Sequence, residues 1–233
     1  MGGALTPGRD NVSAHPAACH RIADVVAKPS VIHVVDDDAS FRVAVARLLQ
    51  SSGFQVILYD SATQFLERLP VDACGCILLD VQMPGLSGLE LQDGIAERGY
   101  LIPIVFLTGH GDIPMCVRAT KAGAEDFLSK PVSKEILLGA VRRALLRSEA
   151  AHEHHDRLGA LRGLVDTLTP RQKAVFALVV RGRLNKQIAF ELRTSVRTVK
   201  AHRHEVMFKL QVRSVAELVS LADKLVAPDA RAN

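Results

Sequence analysis

Between Val31 and about Ser148 short apolar runs alternate with amphipathic segments, and this alternation constrains the fold more than any other feature of the chain. VIHVV (31–35), QVILY (55–59), CILL (76–79), IVFL (104–107) and DFL (126–128) have the length and composition of buried strands. The stretches 39–52, 62–69, 87–98, 113–122 and 133–148 carry helical spacing. Strands separated by helix-length segments can pair in parallel, because each crossover returns the chain to the same edge of the sheet. The pattern predicts an α/β fold: a doubly wound parallel sheet of five strands in order 2-1-3-4-5, covered by helices on both faces. In such sheets ligands sit beyond the carboxyl ends of the strands, near the point where the winding reverses.

Those strand ends carry an unusual set of side chains. The first strand runs into Asp36, Asp37 and Asp38, the third into Asp80, the fourth into Thr108, and the fifth is followed by Lys130-Pro131. Asp36, Asp37 and Asp80 would bring three carboxylates to one sheet edge. Their repulsion is relieved by a divalent cation, and Mg²⁺, a hard ion that takes oxygen ligands and keeps several waters, suits them. A hydroxyl and an ammonium beside the metal would complement the oxygens of a phosphoryl group attached to Asp80. Asp38 has a simpler reading as the N-cap of the helix that begins at Ala39.

VVDDDAS, LLDVQMPGLSGLEL and FLTGHGDIPMCVRATKAGAEDFLSKPV together resemble the receiver domain of two-component response regulators of the NarL/FixJ type, over residues 31–147. The resemblance implies a flavodoxin-like fold. It implies Asp80 as the phosphoacceptor, Asp36 and Asp37 as magnesium-site acids, and the backbone carbonyl of Gln82 as a further metal ligand. Thr108 and Lys130 would contact the phosphoryl oxygens, Lys130-Pro131 would be a cis peptide, and Phe127 would be the aromatic switch residue. It also implies a sensor histidine kinase as phosphodonor, and dimers of the phosphorylated receiver. The expected dimer surface is the fourth helix and fifth strand, including Met115, Arg118 and Lys121.

Charge divides the chain. From residue 160 onward fourteen Lys and Arg face six Asp and Glu, net +8, whereas the preceding part has fifteen against nineteen, net −4. A basic second part faces a polyanion or serves solubility. Its helix punctuation is legible: Thr169-Pro170 opens one helix, Asn185 caps a second, Ser195 a third, and Ser214 with Glu217 forms a capping-box pattern for a fourth. In the third, Val196, Val199, Val206 and Leu210 share a buried face, and Arg197, Ala201 and His204 turn away with Lys200 on the flank. A short helix, a tight turn and a helix with a basic outer face describe a helix-turn-helix at about 185–204, or a plain bundle with a solvated basic face. LTPRQKAVFALVV, NKQIAFEL, SVRTVKAHR and KLQVRS resemble the LuxR-type DNA-binding domain, here 164–229. On promoter DNA, groove geometry brings Arg197, Lys200 and His204 nearest the bases, Ala201 is small enough to touch a thymine methyl, Lys186 and Arg203 lie where phosphates are, and Thr198 completes the DNA-binding set. Gln172 and Val196 depart from the common pattern at helix ends.

The remaining segments carry less. Residues 1–30, rich in Gly, Pro, Ala and His without an apolar core, read as a disordered arm; MGGALT matches a myristoylation pattern by form only. Residues 148–163, including His152, His154 and His155, are helix-compatible and highly polar and read as a solvated linker. Four cysteines show neither zinc spacing nor a disulfide framework, which suits a reducing cytoplasm, and no apolar span reaches membrane length. The sequence therefore predicts a non-enzymatic, phosphorylation-controlled DNA-binding regulator, with RNA polymerase as a further partner. A regulator with a vestigial receiver is the alternative. A haloacid-dehalogenase-like phosphatase is disfavoured because Gln82 stands where its general acid would be.

Overall fold

A computed structural model describes residues 30–68, 73–109 and 112–226. The segment 1–29, with the predicted arm, the MGGALT pattern and Cys19, lies outside the described residues. The strands are β1 Val31–Val35, β2 Gln55–Tyr59, β3 Gly75–Asp80, β4 Ile104–Thr108 and β5 Asp126–Ser129. They alternate with α1 Ala39–Ser51, α2 Ala62–Arg68, α3 Gly88–Glu97, α4 Ile113–Lys121 and α5 Lys134–Asp166. The sheet is parallel throughout, in the predicted order β2-β1-β3-β4-β5.

Every residue of β3 is buried, because alternate side chains feed cores on opposite faces of the sheet. Ile77 and Leu79 join Val35, Phe65, Leu91, Ile95 and Phe106, beneath α2, α3 and α4. Cys76 and Leu78 join Ile32, Leu49, Val105, Leu137 and Val141, beneath α1 and α5. Each buried Leu, Ile or Phe contributes about 1.5–3 kcal/mol, so β3, buried on two such faces, is a firmly packed support for the carboxylate at its end. Two glycines make this geometry possible. A Cβ on Gly75 (φ +138) would lie 1.9 Å from the Val31 carbonyl oxygen, and one on Gly88 would lie 2.1 Å from the Asp80 carbonyl oxygen. Gly88 therefore lets α3 start against the end of β3.

The helix-compatible segment between the domains is helical throughout. α5 runs without interruption from Lys134 to Asp166, about 50 Å at 1.5 Å per residue. No proline or strong breaker interrupts SEAAHEHHDRL, and Gly159 and Gly163 are tolerated in a helix at modest cost. Its first part packs on the sheet through Leu137, Val141 and Ala144, and Ser148, fully buried, accepts the Gly75 N–H at 3.1 Å. Residues 153–157 are exposed all round, and Leu161, Leu164 and Val165 then join the core of the helical domain.

That domain comprises α6 Pro170–Val180, α7 Asn185–Glu191, α8 Val196–Lys209 and α9 Val215–Val226 around Val175, Leu178, Ile188, Val199, Val206 and Leu218. Thr169 caps α6, and Gln172 closes the box by accepting the Thr169 N–H at 3.0 Å, so the departure at that position keeps the reciprocal bond. Ser195 caps α8 as predicted. Asn185 does not cap α7: the cap position is Leu184, whose N–H is taken by Gln187 at 2.9 Å. Asn185 instead accepts from Arg203 across the motif. Before α9, Ser214 takes the Glu217 N–H at 3.1 Å, but the Glu217 carboxylate takes the N–H of Arg213 rather than that of Ser214.

Candidate functional site

Asp36, Asp37 and Asp80 converge as the order of the strands requires. One carboxylate oxygen of each lies within 4.8 Å of the others, and among the described residues this is the one grouping of three or more such groups. His152, His154 and His155 bring no comparable set together. Asp36 is buried at the end of β1, Asp37 points to solvent, and Asp80 is 9% exposed. Lys130 closes the cluster: its Nζ lies 2.5 Å from Asp36 Oδ2 and 3.0 Å from Asp80 Oδ2. The Lys130-Pro131 peptide is cis, and the Lys130 N–H donates to the Thr108 carbonyl at 2.7 Å, which ties the fifth strand end to the fourth.

The remaining valences are held by backbone. The Asp38 N–H donates to Asp36 Oδ1 at 2.9 Å and the Gln82 N–H to Asp80 Oδ1 at 3.3 Å. Asp38 itself caps α1, accepting from Ser40 and Phe41. Burial pushes the Asp36 carboxyl above its usual range, with the Lys130 hydrogen bond opposing it. Burial pulls the Lys130 ammonium down, but its bonds to Asp36 and Asp80 together outweigh this and the net shift is upward. Both shifts describe a buried ion pair in which one cation faces two acids. The exposed Asp37 carboxylate and the convergent oxygens make a hard, all-oxygen donor set, which fits Mg²⁺; the Gln82 carbonyl lies on the loop that follows Asp80.

Thr108 is buried at the end of β4, one position beyond Leu107, the register partner of Asp80. Phe127 is half-buried and stands opposite Phe106 in register, with ring centroids 5.9 Å apart. Two contributors escaped the sequence reading. The Phe41 ring lies 4.0 Å beneath the Lys130 Nζ, and the Arg42 guanidinium donates to the Asp36 carbonyl. Both sit on the first turn of α1, where helical spacing alone gives no sign of what they face. On α4 the expected surface residues Arg118 and Lys121 are exposed, Arg118 pairing with Asp93 at 2.9 Å, while Met115 is half-buried against the core and Ile113 and Val117 are the outward apolar residues.

In the helical domain Arg197, Lys200, Ala201 and His204 are all exposed on α8, and Lys186 is exposed on α7. Spacings of three, four and seven put the α8 residues on one face. The opposite face buries Val199 and Val206. Thr198 is half-buried, its hydroxyl 2.9 Å from that of Ser195 and its N–H bonded to the same group. Arg203 is half-buried as well, donating to Asn185 Oδ1 at 2.6 Å, so it locks α7 to α8. The turn between the helices passes through Arg193 at φ +49, and Arg171 of α6 holds it by donating to the Leu192 carbonyl. The arrangement presents a basic helix outward on a rigid support, as a major-groove reader requires.

Comparison with known proteins agrees with both halves. Residues 32–142 match the response regulator receiver domain, and residues 166–222 match the bacterial regulatory proteins of the luxR family. The response regulator protein TmoT of Ectopseudomonas mendocina is 46% identical, over 84% of this chain and 89% of its own. The transcriptional regulatory protein FixJ of Azorhizobium caulinodans is 42% identical, over 82% of this chain and 90% of its own. Among solved structures the response regulator StyR is 46% identical with a TM-score of 0.75, covering 84% of this chain and all of that one. Shared motifs, shared domain order and shared fold over most of both lengths lead to one assignment: the chain belongs to the response regulators of the FixJ type, which join a receiver domain to a LuxR-type DNA-binding domain and regulate transcription.

Proposed function

We propose that Asp80 accepts a phosphoryl group from a sensor histidine kinase and that the change in the receiver is read out by the basic domain on promoter DNA. The observation that carries this is the placement of Lys130 Nζ between Asp36 and Asp80, with Asp37 alongside at the same sheet edge. Asp80 provides the attacking oxygen. As its bond to phosphorus forms, the nitrogen–phosphorus bond of the kinase's phosphohistidine breaks and the imidazole leaves with the electron pair. Lys130, already the partner of Asp80, is placed to follow the new negative charge, and Thr108 supplies a hydroxyl one position beyond. Asp36 and Asp37, with the Gln82 carbonyl, would hold Mg²⁺, which when bound offsets the charge gathered on the carboxylate and phosphoryl oxygens.

The basic face of α8 then reads sequence through Arg197, Lys200, Ala201 and His204, and Lys186 meets a phosphate. Arg203, whose bond to Asn185 uses one of its several guanidinium N–H groups, meets a phosphate as well, and Thr198, bonded to Ser195, flanks the reading face. Phosphorylated receivers pair through the face of α4 and β5, Phe127 responds to the change at Thr108, and RNA polymerase is the partner of the DNA-bound dimer. The test uses a small phosphodonor with Mg²⁺ and intact-mass measurement. Wild type gains the mass of one phosphoryl group, and Asp80→Asn gains none. Uptake that persists in Asp80→Asn, or in excess chelator, refutes the assignment.

A further inference from the structure

Gln92 lies on α3, away from the acids, and is 3% exposed. Its Nε2 donates to the Ala119 carbonyl at 3.1 Å, while its Oε1 is buried without a hydrogen-bond partner. An apolar side chain of similar volume would fill the same space without an orphaned oxygen, so the amide's return lies in that one bond. Ala119 is fully buried in the last turn of α4, where carbonyls have no partner within the helix. Its oxygen takes the Ala124 N–H at 3.0 Å as well as the Gln92 amide. The adjacent ion pair, Asp93 with Arg118, reaches the same turn from the exposed side. Both bonds from α3 thus grip the carboxyl end of α4.

The two ends of α4 connect to different parts of the site. Four residues, 109–112, separate its amino end from Thr108. Its carboxyl end runs through Ala122 and Gly123 into β5, which carries Phe127 and leads to Lys130. We propose that Gln92 is a positioning residue that pins the last turn of α4, so that a change at Thr108 tilts the helix about that turn. The displacement then appears at Ile113 and Val117, which are 80% and 46% exposed, while β5 and Lys130 keep their register. The proposal rests on Asp80 as phosphoacceptor.

Gln92→Met is the discriminating variant, because it conserves volume and removes both the donor and the orphaned oxygen. Gln92→Leu serves as a second variant, and unfolding midpoints establish that each is folded. In the full chain, amide exchange at 118–122 should accelerate by about fivefold in Gln92→Met, the loss of one ordinary hydrogen bond. With a small phosphodonor and Mg²⁺, wild type should change exchange at 113–117 and leave 118–122 unaltered. Gln92→Met should take up the phosphoryl group as wild type does, yet spread the change into 118–122 and lose most of its phosphorylation-dependent self-association in sedimentation. Phosphoryl uptake with the wild-type exchange pattern and wild-type self-association overturns the role of Gln92 alone. A wild type that takes up no phosphoryl group overturns the Asp80 reading and the coupling together.

Discussion

His33 predicts an acid limit on the receiver that the phosphorylation site does not set. It is 3% exposed in β1, the strand that ends in Asp36. Its Nδ1 is 3.1 Å from the Tyr59 hydroxyl, and its ring packs against those of Tyr59 and Phe65, with centroids 5.7 and 5.6 Å away. Burial holds its pKa near 4, against an ordinary 6.5. The folded chain therefore binds fewer protons than the unfolded chain between those values. The contribution of the neutral ring is present above pH 6.5 and is lost as the pH falls towards 4. At 1.36 kcal/mol per pH unit the full loss is about 3 kcal/mol, of which about 2.5 kcal/mol has gone by about pH 4.5. That is a large share of a small domain's stability. Asp36 opposes it: its raised carboxyl pKa means that folding gains as the pH falls through the folded value. The assay must therefore compare differences. Urea unfolding at about pH 7.5 and about pH 4.5 should show wild type losing about 2.5 kcal/mol more than His33→Gln across the same interval. Equal losses, or a His33 resonance titrating near its ordinary value, would refute the argument from burial.

Four further outcomes concern Lys130, the DNA-facing lysines and the exposed stretch of α5. Lys130→Met leaves Asp36 and Asp80 facing each other without a cation and should cost about 3 kcal/mol in chelator, with added Mg²⁺ raising its thermal midpoint more than that of wild type. Because the Lys130 pKa is raised, its contribution should be intact below the ordinary 10.5 and lost as the pH rises through the folded value; alkaline unfolding of wild type and Lys130→Met checks this. On DNA, Lys200→Ala should weaken cognate binding by about 1–3 kcal/mol with little change on scrambled sequence, whereas Lys186→Ala should weaken both alike and lower the salt slope by about one. Salt-series binding measurements on both DNAs decide between reading and gripping. His154→Pro, in the exposed stretch of α5, should break the helix at a local cost of about 3 kcal/mol or more while the receiver and the helical domain keep their own unfolding transitions; loss of either transition would show that the domains need the strut to fold.

The sheet was legible because each strand is a short apolar run closed by a polar residue, and two buried faces leave no other use for Ile77, Leu78 and Leu79. Parallel order then carried Asp36, Asp37, Asp80, Thr108 and Lys130 to one edge without further information. Contacts made at right angles to that logic were not legible. Phe41 under Lys130 and Gln92 under Ala119 join elements whose spacing says only that one helical face is buried. Asn185 reads as a cap from its residue type, yet it is the first helical residue: Leu184 holds the cap position with its N–H bonded to the Gln187 side chain, and the Asn185 oxygen accepts from Arg203. That bond occupies one Arg203 N–H and joins α7 to α8.

The helix-compatible stretch 148–161 gave no sign that it continues the packed helix before it. A polar run such as HEHHD carries no amphipathic stripe, and a stripe is what distinguishes a packed helix from a linker. Between 153 and 157 the helix packs on nothing, so its order depends on the turns at either end. Ser148 fixes one end by taking the Gly75 N–H, and Leu161, Leu164 and Val165 fix the other in the helical core. Helix nucleation is costly and propagation is cheap, so two nucleated ends a few residues apart favour a helical bridge through a helix-compatible sequence that buries no face of its own. The reach of the basic domain from the phosphorylation site is thus set by anchors in the two domains, and the histidine-rich turns between them carry the helix across without joining either core.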